Sequence, residues 1–189
     1  AGDVYGGSAL GAVNATKGDT DIAATDGKST TVNIYNGTVN GSVFGGGLGH
    51  DDEDNTKDVV ARNFGNTTVT IENSNKDEVL VKTAVYGGAN ENGVVKGNST
   101  VTITGGTIGT EPATATNIAN TVFGGGFGQP TLVEGDVNVT IGTSATEPVN
   151  TNPIIYGSVY GGSALGGVNV NEAGDDQTAK EVAVNLYGI

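Results

Sequence analysis

Val43-Phe44-Gly45-Gly46-Gly47 has four counterparts along the chain: Val4-Tyr5-Gly6-Gly7-Ser8, Val85-Tyr86-Gly87-Gly88-Ala89, Val122-Phe123-Gly124-Gly125-Gly126 and Val159-Tyr160-Gly161-Gly162-Ser163. Their starts lie 39, 42, 37 and 37 residues apart. A second block follows each first one: Val32-Asn33-Ile34, Val69-Thr70-Ile71, Val101-Thr102-Ile103, Val139-Thr140-Ile141 and Val184-Asn185-Leu186. Its apolar–polar–apolar alternation reads as a strand with one buried face. A shorter third block appears as Gly37-Thr38-Val39 and Gly106-Thr107-Ile108.

A supersecondary unit that recurs at a fixed period buries its apolar face against its neighbours rather than alone. The reading is therefore an all-β, right-handed parallel β-helix (a β-solenoid) of about five coils, one per 37–42-residue repeat, forming a single domain over residues 1–189. Three blocks per repeat predict a three-sided coil. Strands of successive coils would lie about 4.8 Å apart, so that Val32, Val69, Val101, Val139 and Val184 form one buried column. Ile34, Ile71, Ile103, Ile141 and Leu186 form the next. The Gly-Gly pairs suit a sharp corner or a close backbone approach that a Cβ would obstruct. Segments between blocks, such as Ala9–Thr31, Thr110–Thr121 and Thr143–Ser158, read as loops leaving the coil at its corners. A β-propeller repeats at a similar length but needs about four strands per blade, more than this pattern offers.

Composition agrees. Glycine (33), Thr (25), Val (24) and Asn (20) make up more than half of the 189 residues, pairing sheet formers with turn formers. With no cysteine, methionine or tryptophan, disulfides, thiolate metal sites and thiol nucleophiles are excluded. The net charge of −13 repels phosphate backbones and anionic lipid, so no nucleic-acid partner is expected. No apolar run is long enough to insert into a membrane. The chain begins at Ala1 without a signal segment, as a mature product or an excised fragment would.

The V-[YF]-G-G-[SGA] blocks resemble the glycine-rich repeats of secreted bacterial surface proteins, including adhesin-like β-helix proteins of gut Bacteroidetes and Firmicutes and, more loosely, autotransporter passengers. The resemblance spans all five repeats and implies a secreted or cell-surface β-helix with adhesive or structural roles. It carries no catalytic signature and transfers no site residue.

Four constellations bear on function. Gly46-Gly47-Leu48-Gly49-His50-Asp51, continuing through Asp52 and Asp54, fits a calcium-binding G-G-x-G-x-D turn with Asp51, Asp52 and Asp54 as ligands. That chemistry needs the turn repeated on adjacent coils, and the fourth repeat carries Gly125-Gly126-Phe127-Gly128-Gln129-Pro130 instead. A solvated acidic loop with no cofactor is the expectation, calcium the alternative. His50, the sole histidine, reads as an exposed surface residue rather than a general base.

Outward columns Thr31, Thr68, Thr100, Asn138, Ala183 and Asn33, Thr70, Thr102, Thr140, Asn185 read as ordinary sheet ladders, with ice binding the alternative. Tyr5, Phe44, Tyr86, Phe123 and Tyr160 stack if the register holds. Facing inward they form an aromatic core ladder, the preferred reading because Tyr and Phe interchange. Facing outward they form a strip for sugar rings.

The expectation for function is a non-enzymatic extracellular module: a stalk, adhesin segment or filament subunit for extension and surface display, with a glycan or host surface as the candidate ligand. A carbohydrate- or ice-binding solenoid and a polysaccharide lyase or hydrolase are the alternatives; the last lacks the clustered carboxylates or the basic residue beside bound metal that such chemistry requires. Neither terminal repeat reads as a cap. The chain is expected to continue in a longer solenoid or to self-associate head-to-tail.

Overall fold

The computed structural model describes residues 2–15, 28–52, 54, 56–73, 79–111, 118–144 and 152–187. Parts of the expected inserts (16–27, 112–117, 145–151), with Glu53 and Asn55 of the acidic run, lie outside them. Among the described residues there are nineteen strands and no helix, hence none able to cross a membrane. They form four parallel sheets.

The first sheet stacks Val4–Tyr5, Val43–Phe44, Val85–Tyr86, Val122–Phe123 and Val159–Tyr160. The second stacks Ala12–Val13, Ala61–Asn63, Gly93–Val95, Leu132–Val133 and Gly167–Val168. The third, the longest, stacks Ser29–Ile34, Asn66–Ile71, Ser99–Ile103, Val137–Ile141 and Val182–Leu186. The fourth stacks Gly37–Val39, Val79–Val81, Thr107–Ile108 and Ile154–Ile155. The molecule is a parallel β-helix of five coils, its strands pairing like with like: Val32↔Val69↔Val101↔Val139↔Val184 lie on one line.

The three-sided coil is corrected to a coil of four strands. The second sheet was hidden in segments read as corner loops, because its strands are only two or three residues long and start at varying distances from the first block, although its inward position is valine in four coils of five. Likewise the Thr143–Ser158 segment contains the strand Ile154–Ile155.

The interior is a continuous valine–isoleucine core. Val69, Val101, Val139, Ile71, Ile103 and Ile141 join Val43, Val85 and Val122 of the first sheet and Val81 and Ile108 of the fourth. Two residues before the central valine, the inward position carries a hydroxyl in three coils. Thr30, Thr67 and Ser99 each donate Oγ–H to a first-sheet glycine carbonyl, of Gly45, Gly87 and Gly124, at 3.0, 2.7 and 2.6 Å. A buried hydroxyl without a partner is costly, and these have one. The same glycines explain their own identity. A Cβ on Gly45 or Gly87 would overlap the carbonyl of the equivalent glycine one coil on, so close approach rather than unusual φ excludes a side chain there.

At the corner between second and third sheets, side chains staple coil to coil. Asn66 Oδ1 accepts the Asn98 N–H at 2.8 Å, Asn98 Oδ1 accepts the Asp136 N–H at 2.9 Å, and Asp136 Oδ1 accepts the Glu181 N–H at 3.0 Å. The preceding Gly97 and Gly135 leave room for those oxygens.

A turn around Asn171 crosses the outer face of the second sheet. Glu172 accepts from Arg62 Nη2 at 2.7 Å and pairs with Lys96, which also reaches Glu134 at 2.6 Å. Burial alone would raise the Glu172 carboxyl, but the hydrogen bonds and charges of Arg62 and Lys96 prevail and hold it below the ordinary range. For Lys96, burial pulls down, and Glu134 with Glu172 pull further up. The fifth coil is thereby tied to the second and third across 110 residues of sequence.

The register has a direct consequence. Val101 is fully buried and Thr102 faces outward on the same strand. Val101→Asp is expected to cost about 4 kcal/mol or more, and Thr102→Asp about 1 kcal/mol or less, read as urea-unfolding midpoints. Equal losses would show the strand to be one residue out of register.

Candidate functional site

Alternation along the two-residue strands of the first sheet sends valine into the core and the aromatic residue to the opposite face. Successive coils therefore stack Tyr5, Phe44, Tyr86, Phe123 and Tyr160. Their centroids are 5.0, 4.7, 5.1 and 5.3 Å apart and their planes lie within 15° of parallel. The column is the packed aromatic ladder expected from the sequence, but on a second core across the sheet from the valine–isoleucine one rather than inside it. It does not lie open: Phe44, Tyr86 and Phe123 are only 3–4 % exposed, forming a second small core with Ala84 and packed by Phe127 and Ala164. Each middle ring has both faces covered by neighbours. The column's lone exposed ring is Tyr160, at 51 %.

Loops at both margins of this sheet cover the column. Residues just before the strands (Asp3, Ser42, Thr83, Ile118 and Ala119) and residues just after the glycines (Asn90 and Phe127) line an open-sided cavity of about 240 Å³ over Phe44 and Tyr86. Asn90 and Phe127 are held by a parallel bridge between the third and fourth coils. The Asn90 amide donates to the Tyr5 hydroxyl at 2.9 Å, and Tyr5 lies 3.5 Å from Asp3 Oδ2. Asp3 Oδ1 accepts the Ser42 N–H at 2.7 Å. Burial raises the Tyr5 phenol; the Asn90 hydrogen bond opposes this, and the charges of Asp3 and Glu91 add to it. Burial alone pushes the Tyr86 phenol up to about 12.

The acidic turn is arranged differently from a calcium loop. Asp51 and Asp54 are exposed. Asp52 accepts from the Thr56 hydroxyl at 3.0 Å, and its own N–H donates to Asp58 at 2.8 Å. Among the described residues, no three His, Cys, Asp or Glu groups converge to hold a metal ion. His50 is exposed, its backbone bridged to Val59 and its Nδ1 4.0 Å from Glu91. The threonine columns lie on the outer face of the third sheet, exposed or half-exposed.

A second concavity opens at the C-terminal edge. Ile141, Ile155, Val159 and Leu186 line about 430 Å³ of largely apolar space, and Val182, Val184 and Leu186 stand 41–48 % exposed. At the other edge Val32, one line with Val184, is 7 % exposed. Sequence reasoning missed Asn90, Phe127 and the cavity because they belong to loops of the middle repeats, which differ from one another and from the terminal ones. The pairing of an extra aromatic, Phe127, with a Gly-Gly-Gly turn was the available signal.

The column's alkaline behaviour follows from burial of its phenols. Tyr86 ionises near its ordinary value of 10.0 when unfolded and near 12 when folded. The unfolded chain thus sheds its proton first, and stability present below pH 10 is lost between 10 and 12. Tyr86→Phe is expected to leave the melting temperature at pH 7 nearly unchanged and to flatten its fall at alkaline pH; an equally steep fall would contradict this. Comparison with protein-family models, with curated proteins and with solved structures found no match to the chain.

Proposed function

We propose that this chain is a non-enzymatic structural and adhesive module of a secreted or surface-attached bacterial solenoid, whose coils extend by strand addition at an open edge. The observation that carries this reading is the C-terminal edge. There the inward column ends in Val182, Val184 and Leu186, all substantially exposed. The last strands of all four sheets have one edge unpaired among the described residues. Unpaired parallel edges with apolar side chains beneath them template another strand. A coil carrying the same V-x-I register would bury both. The alternation, the covered ring faces and the acidic surface support a rigid spacer rather than a reaction centre.

The near-identity of the first and fifth repeats adds to this. Val4–Asn14 and Val159–Asn169 differ only at Ala12/Gly167, and Leu10 and Leu165 are both exposed, at 60 and 63 %. Asn14 and Asn169 share a left-handed φ of 61° and 56°. Terminal coils so alike in sequence suit like-on-like stacking, with growth expected at the C-terminal edge, where Val184 is open while Val32 at the other edge is covered.

The isolated chain is expected to form elongated particles by electron microscopy, growing with concentration in light scattering. Val184→Glu is expected to halt growth while leaving the β circular-dichroism spectrum intact. A wild-type chain that stays monomeric at about millimolar concentration would overturn the reading; so would growth unaffected by Val184→Glu.

A further inference from the structure

The cavity over the aromatic column has a lining that stacking of coils does not explain. Its floor is the buried edges of Phe44 and Tyr86, and one wall is Phe127. Phe127 is tilted 46° from Tyr86 at 5.7 Å. Unlike the column rings, it has no ring stacked on it among the described residues. Around these stand Asp3, Thr83 and Asn90, whose carboxylate, hydroxyl and amide both accept and donate hydrogen bonds.

The rim is held in a costly conformation. Glu91, next to Asn90, has φ 47°, and Asn120, next to Ala119, has φ 70°. A left-handed φ is unusual for glutamate. Strain of this kind persists where the surroundings over-determine it, and it clusters at ligand sites.

Size and charge narrow the ligand. A volume of about 240 Å³ falls below the ~300–1,000 Å³ of sites for drug-sized molecules, so the space suits one ring. Asp3 and the neighbouring Glu91 disfavour an anion, as does the net charge of −13. Asp3 and Asn90 are already hydrogen-bonded to Ser42, Tyr5 and Glu91, but a carboxylate and an amide keep further acceptor and donor capacity, which a hydroxylated occupant uses and a purely apolar one does not. A ring with one C–H face and several hydroxyls satisfies both surfaces.

We propose that this cavity binds a single neutral sugar ring, packed on Phe127 and hydrogen-bonded by Asn90, Asp3 and Thr83. The site is complete within one chain, so it stands whether or not the coils extend at the open edge.

Saturation-transfer NMR and calorimetry with glucose, galactose, mannose, fucose and N-acetylglucosamine test it directly, with glucuronate and toluene as counter-probes. At least one neutral sugar is expected to bind saturably with a Kd of about millimolar order. Asn90→Ala and Phe127→Leu should each weaken it about tenfold, with unchanged circular dichroism establishing that the variants fold. Leu165→Ala, outside the cavity, should leave binding unchanged. The proposal is overturned if none of the sugars binds at about 100 mM, or if glucuronate binds as well as the neutral sugars. Toluene occupying the site in place of any sugar, or binding indifferent to both cavity variants, would overturn it equally.

Discussion

Backbone hydrogen bonding between successive coils admits no offset in this molecule: residue above residue, each strand pairs with its equivalent one repeat away. Strands stacked at about 4.8 Å place side chains of equivalent positions in van der Waals contact, so each column must tolerate its own kind. Valine on valine and isoleucine on isoleucine fill the interior. Flat rings at 4.7–5.3 Å fit the same spacing outside it. The spacing also accounts for the glycines of the first sheet, whose neighbouring carbonyls occupy the volume of a Cβ.

A stack of identical layers must still satisfy the groups that the ladders leave over. Inward hydroxyls return to glycine carbonyls, and Asn66, Asn98 and Asp136 hold the next coil's N–H at the corner. The Glu172 turn binds Arg62 and Lys96 across three coils, which opposes fraying of the fifth. The regular sheets therefore supply rigidity, and chemical individuality is confined to the loops. That division places the cavity over the first sheet, where loops of several coils converge on a surface already made apolar by the aromatic column. Binding residues on loops held by a rigid scaffold are a common solution.

Columns built from the same residue type in every repeat were legible in the sequence. The V-x-I triplets gave both strand and register, and the glycine pairs gave close approach. The second sheet was not legible: its inward column is valine in four coils and asparagine in one (Val13, Asn63, Val95, Val133, Val168), but its strands are two or three residues long and start at varying distances from the first block. The direction of the aromatic column follows from simple alternation after an inward valine. Its burial agrees with the packing read from the interchange of Tyr and Phe, while Phe127 and the loops that supply that burial were not foreseen. Asn90 met Tyr5 across 85 residues, a contact visible only once the coil count between them was known.

The chain has no cysteine, so paired cysteines can report the register without background. Thr102 and Thr140 are direct partners on adjacent coils, with Cα separation suited to a disulfide. Thr102→Cys with Thr140→Cys should cross-link intramolecularly and nearly completely under mild oxidation. Thr102→Cys with Asn138→Cys, displaced two residues along the strand, should remain reduced. Equal cross-linking of both pairs, or preference for the displaced one, would contradict the in-register stack on which every column, the cavity and the open edge depend.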